Sequence, residues 1–190
     1  DLVDRSLGLL EEKAKRPAGE TRADILDFFR GRLENQLIAQ GRPYDVVEAV
    51  LATGFSDLVR TVAKIEAMEA FKANENFEPL AIAFKRVGNI LKDFPGGSVR
   101  EDLLETAEEQ TLYERFLEIR TRALTRLEAE DYPAALAEMA AIRKPVDAFF
   151  ETVLVMAKEE AIRNNRLALL AEISALFHRV ADFAKIVTSV

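Results

Sequence analysis

Residues 161–187, AIRNNRLALLAEISALFHRVADFAKIV, carry the pattern that decides the fold. Leu167, Leu170, Ile173, Phe177, Val180, Ala184 and Val187 recur at spacings of three and four, so one helix from about Ala161 to Val187 brings them onto a single stripe. Such a helix is expected to be long and central.

The same period runs through the chain upstream. Ile25, Phe28, Phe29, Leu33 and Leu37 form one face of a helix over 21–39, which Gly41 and Pro43 end. A short helix from Tyr44 to Leu51 follows. Ser56 is the expected N-cap of a helix through Leu58, Val62, Ile65, Met68 and Phe71. Pro79 suits the first turn of a helix that reaches Leu91, because its missing N–H costs little there. Asp93 to Arg100, with Phe94-Pro95-Gly96-Gly97-Ser98, is the clearest loop and is expected to be mobile. From Ala107 to about Glu130, Leu112, Phe116, Ile119, Ala123 and Leu127 point inward, while Glu114, Glu118, Arg122 and Arg126 can pair at four-residue spacing. A further helix through Leu136, Met139 and Ile142 should break or kink at Pro145, with a second segment continuing to Ala157. No strand-like alternation persists, so an all-α helical bundle with short connections is expected. Residues 1–75 are expected to form a smaller helical subdomain ahead of a domain over 76–190.

Of 190 residues, 49% are apolar and 31% charged, with few Gly and Pro, which places the chain among helix-rich globular proteins rather than disordered ones. No window reaches the ~18 apolar residues of a membrane helix, and the N-terminal stretch has no signal-peptide core, so a cytoplasmic setting without membrane contact is expected. The chain begins at Asp1 without Met and is expected to be part of a longer polypeptide. A net charge of −7 argues against indiscriminate nucleic-acid binding and against DNA, yet leaves room for reading a few exposed RNA bases from a local basic surface.

Reactive constellations are missing. The chain has no Cys, and its one histidine, His178, has no second ligand at metal spacing, so no metal site is expected. No Gly-x-Ser-x-Gly elbow, Walker loop or dinucleotide fingerprint occurs. The adjacent acids Glu11–Glu12, Glu108–Glu109 and Glu159–Glu160 point in different directions on helices and read as solvated surface. No catalytic residue is expected.

Four ordered segments resemble the β subunits of bacterial-type glycyl-tRNA synthetases. They are Phe84-Lys85-Arg86-Val87-Gly88-Asn89-Ile90-Leu91, similar to FKRV-x-NIL; Leu103-Leu104-Glu105 with Glu109, Leu112 and Tyr113; Asp131-Tyr132-Pro133-Ala134-Ala135-Leu136 on to Pro145-Val146-Asp147-Ala148-Phe149-Phe150; and Arg163-Asn164-Asn165-Arg166-Leu167 through Arg179-Val180-Ala181-Asp182-Phe183. Together they span Phe77 to Ile186, the part that resembles a DALR-type anticodon-binding domain. Departures are mild: Glu151, Leu154 and Ala184 stand where the family usually has Asp, Met and Ser.

The resemblance implies a non-catalytic, C-terminal part of a glycine–tRNA ligase. ATP and Mg would act elsewhere in the whole enzyme, and no cofactor is expected in this chain. The implied partners are glycine tRNA and an α subunit in a heterotetramer. Glycine anticodons contain two cytosines, whose edges need donors at N3 and O2 and an acceptor at N4. On the matched positions, Lys85, Arg86 and Asn89 are the first candidates, since offsets of three and four bring Lys85 and Arg86 near Asn89; bonding to neighbouring helix ends is the alternative. Arg143 and Lys144, with Asp147 one turn on, are candidates if a break at Pro145 projects them. Arg163 and Arg166 either contact phosphate or bridge Glu159, Glu160 and nearby loops. Phe149 and Phe150 read as packing, with base stacking the alternative. A helical protein-interaction module that touches no RNA is the competing class, and the four ordered segments favour the synthetase reading.

Overall fold

A computed structural model describes residues 2–10 and 17–188, and all the secondary structure in them is helical. The order is α1 (Leu2–Leu10), α2 (Ala18–Ala39), α3 (Tyr44–Leu51), α4 (Leu58–Phe71), α5 (Phe77–Leu91), α6 (Ala107–Glu128), α7 (Tyr132–Ala140), α8 (Arg143–Thr152) and α9 (Glu160–His178), with 3-10 turns at Glu101–Leu103 and Phe183–Lys185.

Local chemistry sets the boundaries. At the end of α2, Gly41 takes φ 90°, and the N–H groups of Gly41 and Arg42 donate to the carbonyls of Ile38 and Leu37, closing a Schellman turn. The N-cap of α4 is Asp57 rather than Ser56, its carboxylate accepting from the Arg60 N–H at 3.1 Å. Thr106 and Glu109 close a reciprocal capping box on α6. Pro145 does not break a helix. The break falls at Ala141 and Ile142, and Pro145 is the third residue of α8, where no intrahelical N–H is required. α8 stops at Thr152, not Ala157, and the chain continues as an irregular strap in which Val153 and Val155 are buried while Leu154 and Met156 are 70% and 57% exposed.

The central helix is shorter than its stripe suggests. α9 ends at His178, and the chain turns so that the Asp182 N–H reaches the Ala49 carbonyl of α3 at 2.9 Å. The turn buries Phe183 and Ile186, whereas Val187, on the extrapolated stripe, is 53% exposed. Phe183 lies with its ring centroid 5.0 Å from Phe177, 5.7 Å from Phe84, 6.3 Å from Phe77 and 6.4 Å from Phe71. A continuous apolar core therefore joins α3 and α4 to α5–α9, and Phe71 and Phe77 meet at 5.7 Å across the position expected to divide two domains. Buried Asp45 of α3 completes this junction, accepting from Lys72 at 3.0 Å and from the Val187 N–H at 3.2 Å.

One inward face and one set of surface charges differ from expectation. On α2, Phe28 and Phe29 are 60% and 53% exposed, because this helix meets α3 at its C-terminal end, where Leu37 is buried. On α6, Arg122 pairs with Glu138 of α7 at 2.8 Å instead of with Glu118, which Arg115 takes at 2.9 Å. Phe183→Ala should lower the unfolding free energy by about 3–5 kcal/mol, as for other buried aromatics. Val187→Ala should change it by less than ~0.5 kcal/mol, both read by urea denaturation.

Candidate functional site

Arg166 of α9, only 6% exposed, organises the region that carries most of the candidate residues. Its Nε donates to Glu109 Oε1 at 2.7 Å, its Nη2 to Glu109 Oε2 at 3.3 Å and to Glu105 at 3.1 Å, and its Nη1 to the Leu154 carbonyl at 3.0 Å. Glu109 is fully buried, which corrects the expectation that it is solvated helix surface. Its Oε2 also accepts the N–H groups of Thr106 at 2.8 Å and Glu105 at 3.1 Å. Burial pushes the Glu109 carboxyl up, but the hydrogen bonds from Arg166 and the Thr106 backbone, with the Arg166 charge, outweigh it and hold it below the usual carboxylate range. The pair Glu11–Glu12 lies outside the described residues.

The neighbouring Asn165 works on the other side. Its Oδ1 accepts the Arg100 N–H at 2.7 Å and its Nδ2 donates to the Arg100 carbonyl at 3.0 Å, so the end of the 93–100 loop expected to be mobile is latched to α9. Arg163 donates to the Ala157 carbonyl at 3.1 Å. Both arginines of α9 thus hold carbonyls of the 153–158 strap, and neither Glu159 nor Glu160 is their partner. Arg166 is a buried organiser rather than a surface phosphate contact.

Between α5 and the strap lies an open groove of about 560 Å³, lined by Arg86, Asn89, Ile90 and residues 153–156. The Arg86 guanidinium lies 4.2 Å from the centroid of the half-buried Phe150 ring, so Phe150 packs on the core and also supports the Arg86 side chain. The three α5 candidates separate: Arg86 and Asn89 are exposed at the groove, whereas Lys85 is half-buried and donates to Thr188 at 3.0 Å. Arg143 and Asp147 form an ion pair at 2.9 Å along α8. Lys144 lies elsewhere, in a second groove with Arg115 and Arg122 of α6. The Thr106-x-x-Glu109 spacing is a capping signal that the sequence reading passed over, and nothing in it marks Glu109 as the seat of Arg166.

Residues 80–188 match the model of the DALR anticodon binding domain. The chain belongs to that family. The match begins and ends within three residues of the Phe77–Ile186 span drawn from the four segments. The chain is also 60% identical over 188 residues to the glycine–tRNA ligase beta subunit of Syntrophus aciditrophicus (strain SB), covering 99% of this chain and 27% of that protein. It is 47% identical over 186 residues to the beta subunit of the same name from Citrifermentans bemidjiense, and 44% identical over 185 residues to that from Trichlorobacter lovleyi, covering 98% and 97% of this chain. It spans about a quarter, 27%, of the length of each of these curated relatives. Similarity therefore extends over residues 1–75, which the four segments left largely unmatched. No helix among the described residues is long and apolar enough to cross a membrane.

Arg166→Met should destabilise this DALR domain by about 3–5 kcal/mol, because it strands a buried carboxylate. Arg166→Met with Glu109→Leu should recover most of that loss in the same denaturation assay. Since the Glu109 carboxyl is lowered by folding, its contribution is present at neutral pH and is lost as the pH falls through its depressed value. Glu109→Gln should flatten that part of the acid limb of a stability-versus-pH curve.

Proposed function

We propose that this chain is the anticodon-binding part of a glycine–tRNA ligase β subunit and that the groove between α5 and the strap receives an unpaired anticodon base. The observation that carries the reading is the Arg86–Phe150 stack beside Asn89, in a chain of an anticodon-binding family. An exposed guanidinium held over a ring keeps N–H groups for the acceptors of a base. Asn89 presents both a donor and an acceptor to the same groove, and exposed Leu154 and Met156 give apolar contact to a base face.

For the cytosines of a glycine anticodon, Arg86 and Asn89 are the donors to N3 and O2, and Asp147 is the acceptor for N4 once Arg143 shares it. Lys144 is a phosphate contact in the second groove, where Arg115 and Arg122 are already held by Glu118 and Glu138. Lys85 positions α5 against the C-terminal residues through Thr188, and Arg163 and Arg166 act through the strap. Residues 76–190 form the anticodon-binding domain, and 1–75 is the helical region leading into it. In the whole enzyme, ATP- and Mg-dependent attachment of glycine would take place with the α subunit of a cytoplasmic heterotetramer. Remote anticodon contacts would then orient the acceptor end for reaction.

The test is binding of the chain to glycine tRNA, to the same tRNA with its anticodon cytosines replaced, and to an unrelated tRNA. The expected result is preference for the first, with Arg86→Ala or Asn89→Ala each costing about 1–3 kcal/mol of affinity and narrowing the preference. Equal binding of all three tRNAs by the wild-type chain sinks the reading.

A further inference from the structure

A small polar cleft of about 270 Å³ sits where the start of α4, the end of α6, the start of α7 and the residue after α9 converge. Its lining brings together three cations, Arg60, Lys64 and Arg179, with Ser56, Asp57 and Tyr132. The carboxylates nearby are already engaged: Arg60 holds Glu130 at 2.7 Å and Asp57 at 3.3 Å. Among the described residues neither Lys64 nor Arg179 has a carboxylate within ion-pair distance. Thr53 and Thr61 direct their hydroxyls to the carbonyls of Val50 and Asp57, at 2.8 and 2.7 Å, so the charged groups and the hydroxyls of Ser56 and Tyr132 are the side-chain donors that face a ligand.

Beside the cleft, Glu130 takes φ 58° to close a Schellman turn at the end of α6, its N–H and that of Asp131 donating to the Leu127 and Arg126 carbonyls, and from there its carboxylate reaches Arg60. One further feature sets this cleft apart from ordinary charged surface. Lys64 is half-buried beside the Tyr132 ring, 5.9 Å from its centroid. Burial lowers the Lys64 ammonium, and repulsion from Arg179 and then Arg60 lowers it further, which a bound anion would relieve. A chain of net charge −7 that places two cations without counter-ions in one small cleft is arranged to receive a compact anion.

We infer that this cleft binds a backbone phosphate of RNA, through Lys64 and Arg179 with Arg60 as a flanking charge, separately from the base-reading groove. The cleft is small for a peptide segment, and its donors are side-chain groups rather than backbone N–H groups. The identity of the anion as RNA rests on the tRNA-binding reading above. Such a contact would add affinity without sequence preference and would make binding steeper in salt.

The test uses the full chain and the double variant Lys64→Met with Arg179→Gln, its folding checked by thermal melting. Affinity for glycine tRNA and for its anticodon-altered form is followed as salt is varied. The expected result is roughly tenfold weaker binding of both tRNAs and a log–log salt slope less steep by about one, as for the loss of a single phosphate, with the wild-type slope kept by Lys64→Arg with Arg179→Lys. An unchanged slope in the folded Met/Gln variant overturns the phosphate site, whether or not the wild type still distinguishes the two tRNAs. A flattened slope with no discrimination by the wild type overturns the anticodon reading and leaves the phosphate site standing.

Discussion

The buried ion pair between Arg166 and Glu109 is the constraint on which the candidate site depends. A carboxylate with no exposure needs nearly every lone pair engaged, and Glu109 accepts four hydrogen bonds from Arg166, Thr106 and Glu105. That requirement fixes the start of α6, the facing turn of α9 and, through the Leu154 carbonyl, the height of the strap above α5. Replacement by apolar residues could match its stability, since buried pairs recover their desolvation cost only with good geometry. Its value is positional. No apolar contact would hold a carbonyl of an irregular segment at a set place while leaving the side chains of Leu154 and Met156 outside.

A second junction holds the other end of the groove's floor. α5 has Phe77 and Phe84 on its buried face and Lys85, Arg86 and Asn89 toward the surface, so the seating of its aromatic residues decides where the candidate donors stand. That seating depends on Phe183, which arrives only because the chain turns after α9 and anchors to α3 through the Ala49 carbonyl. The C-terminal turn, α3 and α5 therefore behave as one packed unit, and the Lys85–Thr188 bond closes it at the surface. Two independent anchors, ionic at the strap and aromatic beneath α5, define the gap between them. A groove built this way is pre-formed, which limits the ordering cost of binding.

Much of the fold was legible because period and caps are local signals. Leu112, Phe116, Ile119 and Ala123 of α6, the bounds of α3 and the end of α5 at Leu91 follow from spacing and from Pro and Gly positions. What could not be read was set by tertiary partners. The stripe through Ala184 and Val187 is a sound helical pattern, yet burying Phe183 and Ile186 in a turn satisfies more apolar surface than burying an alanine and a valine by continuing it. Pro145 is compatible with either a kink or a first turn, and only the position of the preceding break separates the two. Phe28 and Phe29 show the reverse case, two residues of a strong periodic face that stay more than half exposed while Leu33 and Leu37 of the same face pack on the core. For the site, the family-like segments led to Arg86 and Asn89, but charge and spacing say nothing about which arginines are buried. Arg166 and Arg86 look equally available in the sequence and differ entirely in the fold.

That difference also bears on how an acidic chain can serve an RNA-binding family. Counting Lys and Arg overstates the cationic surface here, because Arg166, Arg163, Arg122 and Arg115 are engaged by carboxylates or carbonyls within the chain. The buried carboxylates Glu109 and Asp45 are matched by Arg166 and Lys72, so these pairs cancel and the net charge of −7 belongs to the remaining groups. The electrostatics that matter are those of the groups left over at concave surface: Arg86 over its ring, Lys144 between two helices, and Lys64 with Arg179 in their cleft. A general negative field opposes loose association with any polyanion, and in the proposed reading these few positions decide which one is held. Weak background binding and a small set of placed donors are the conditions under which a difference of two bases can control affinity.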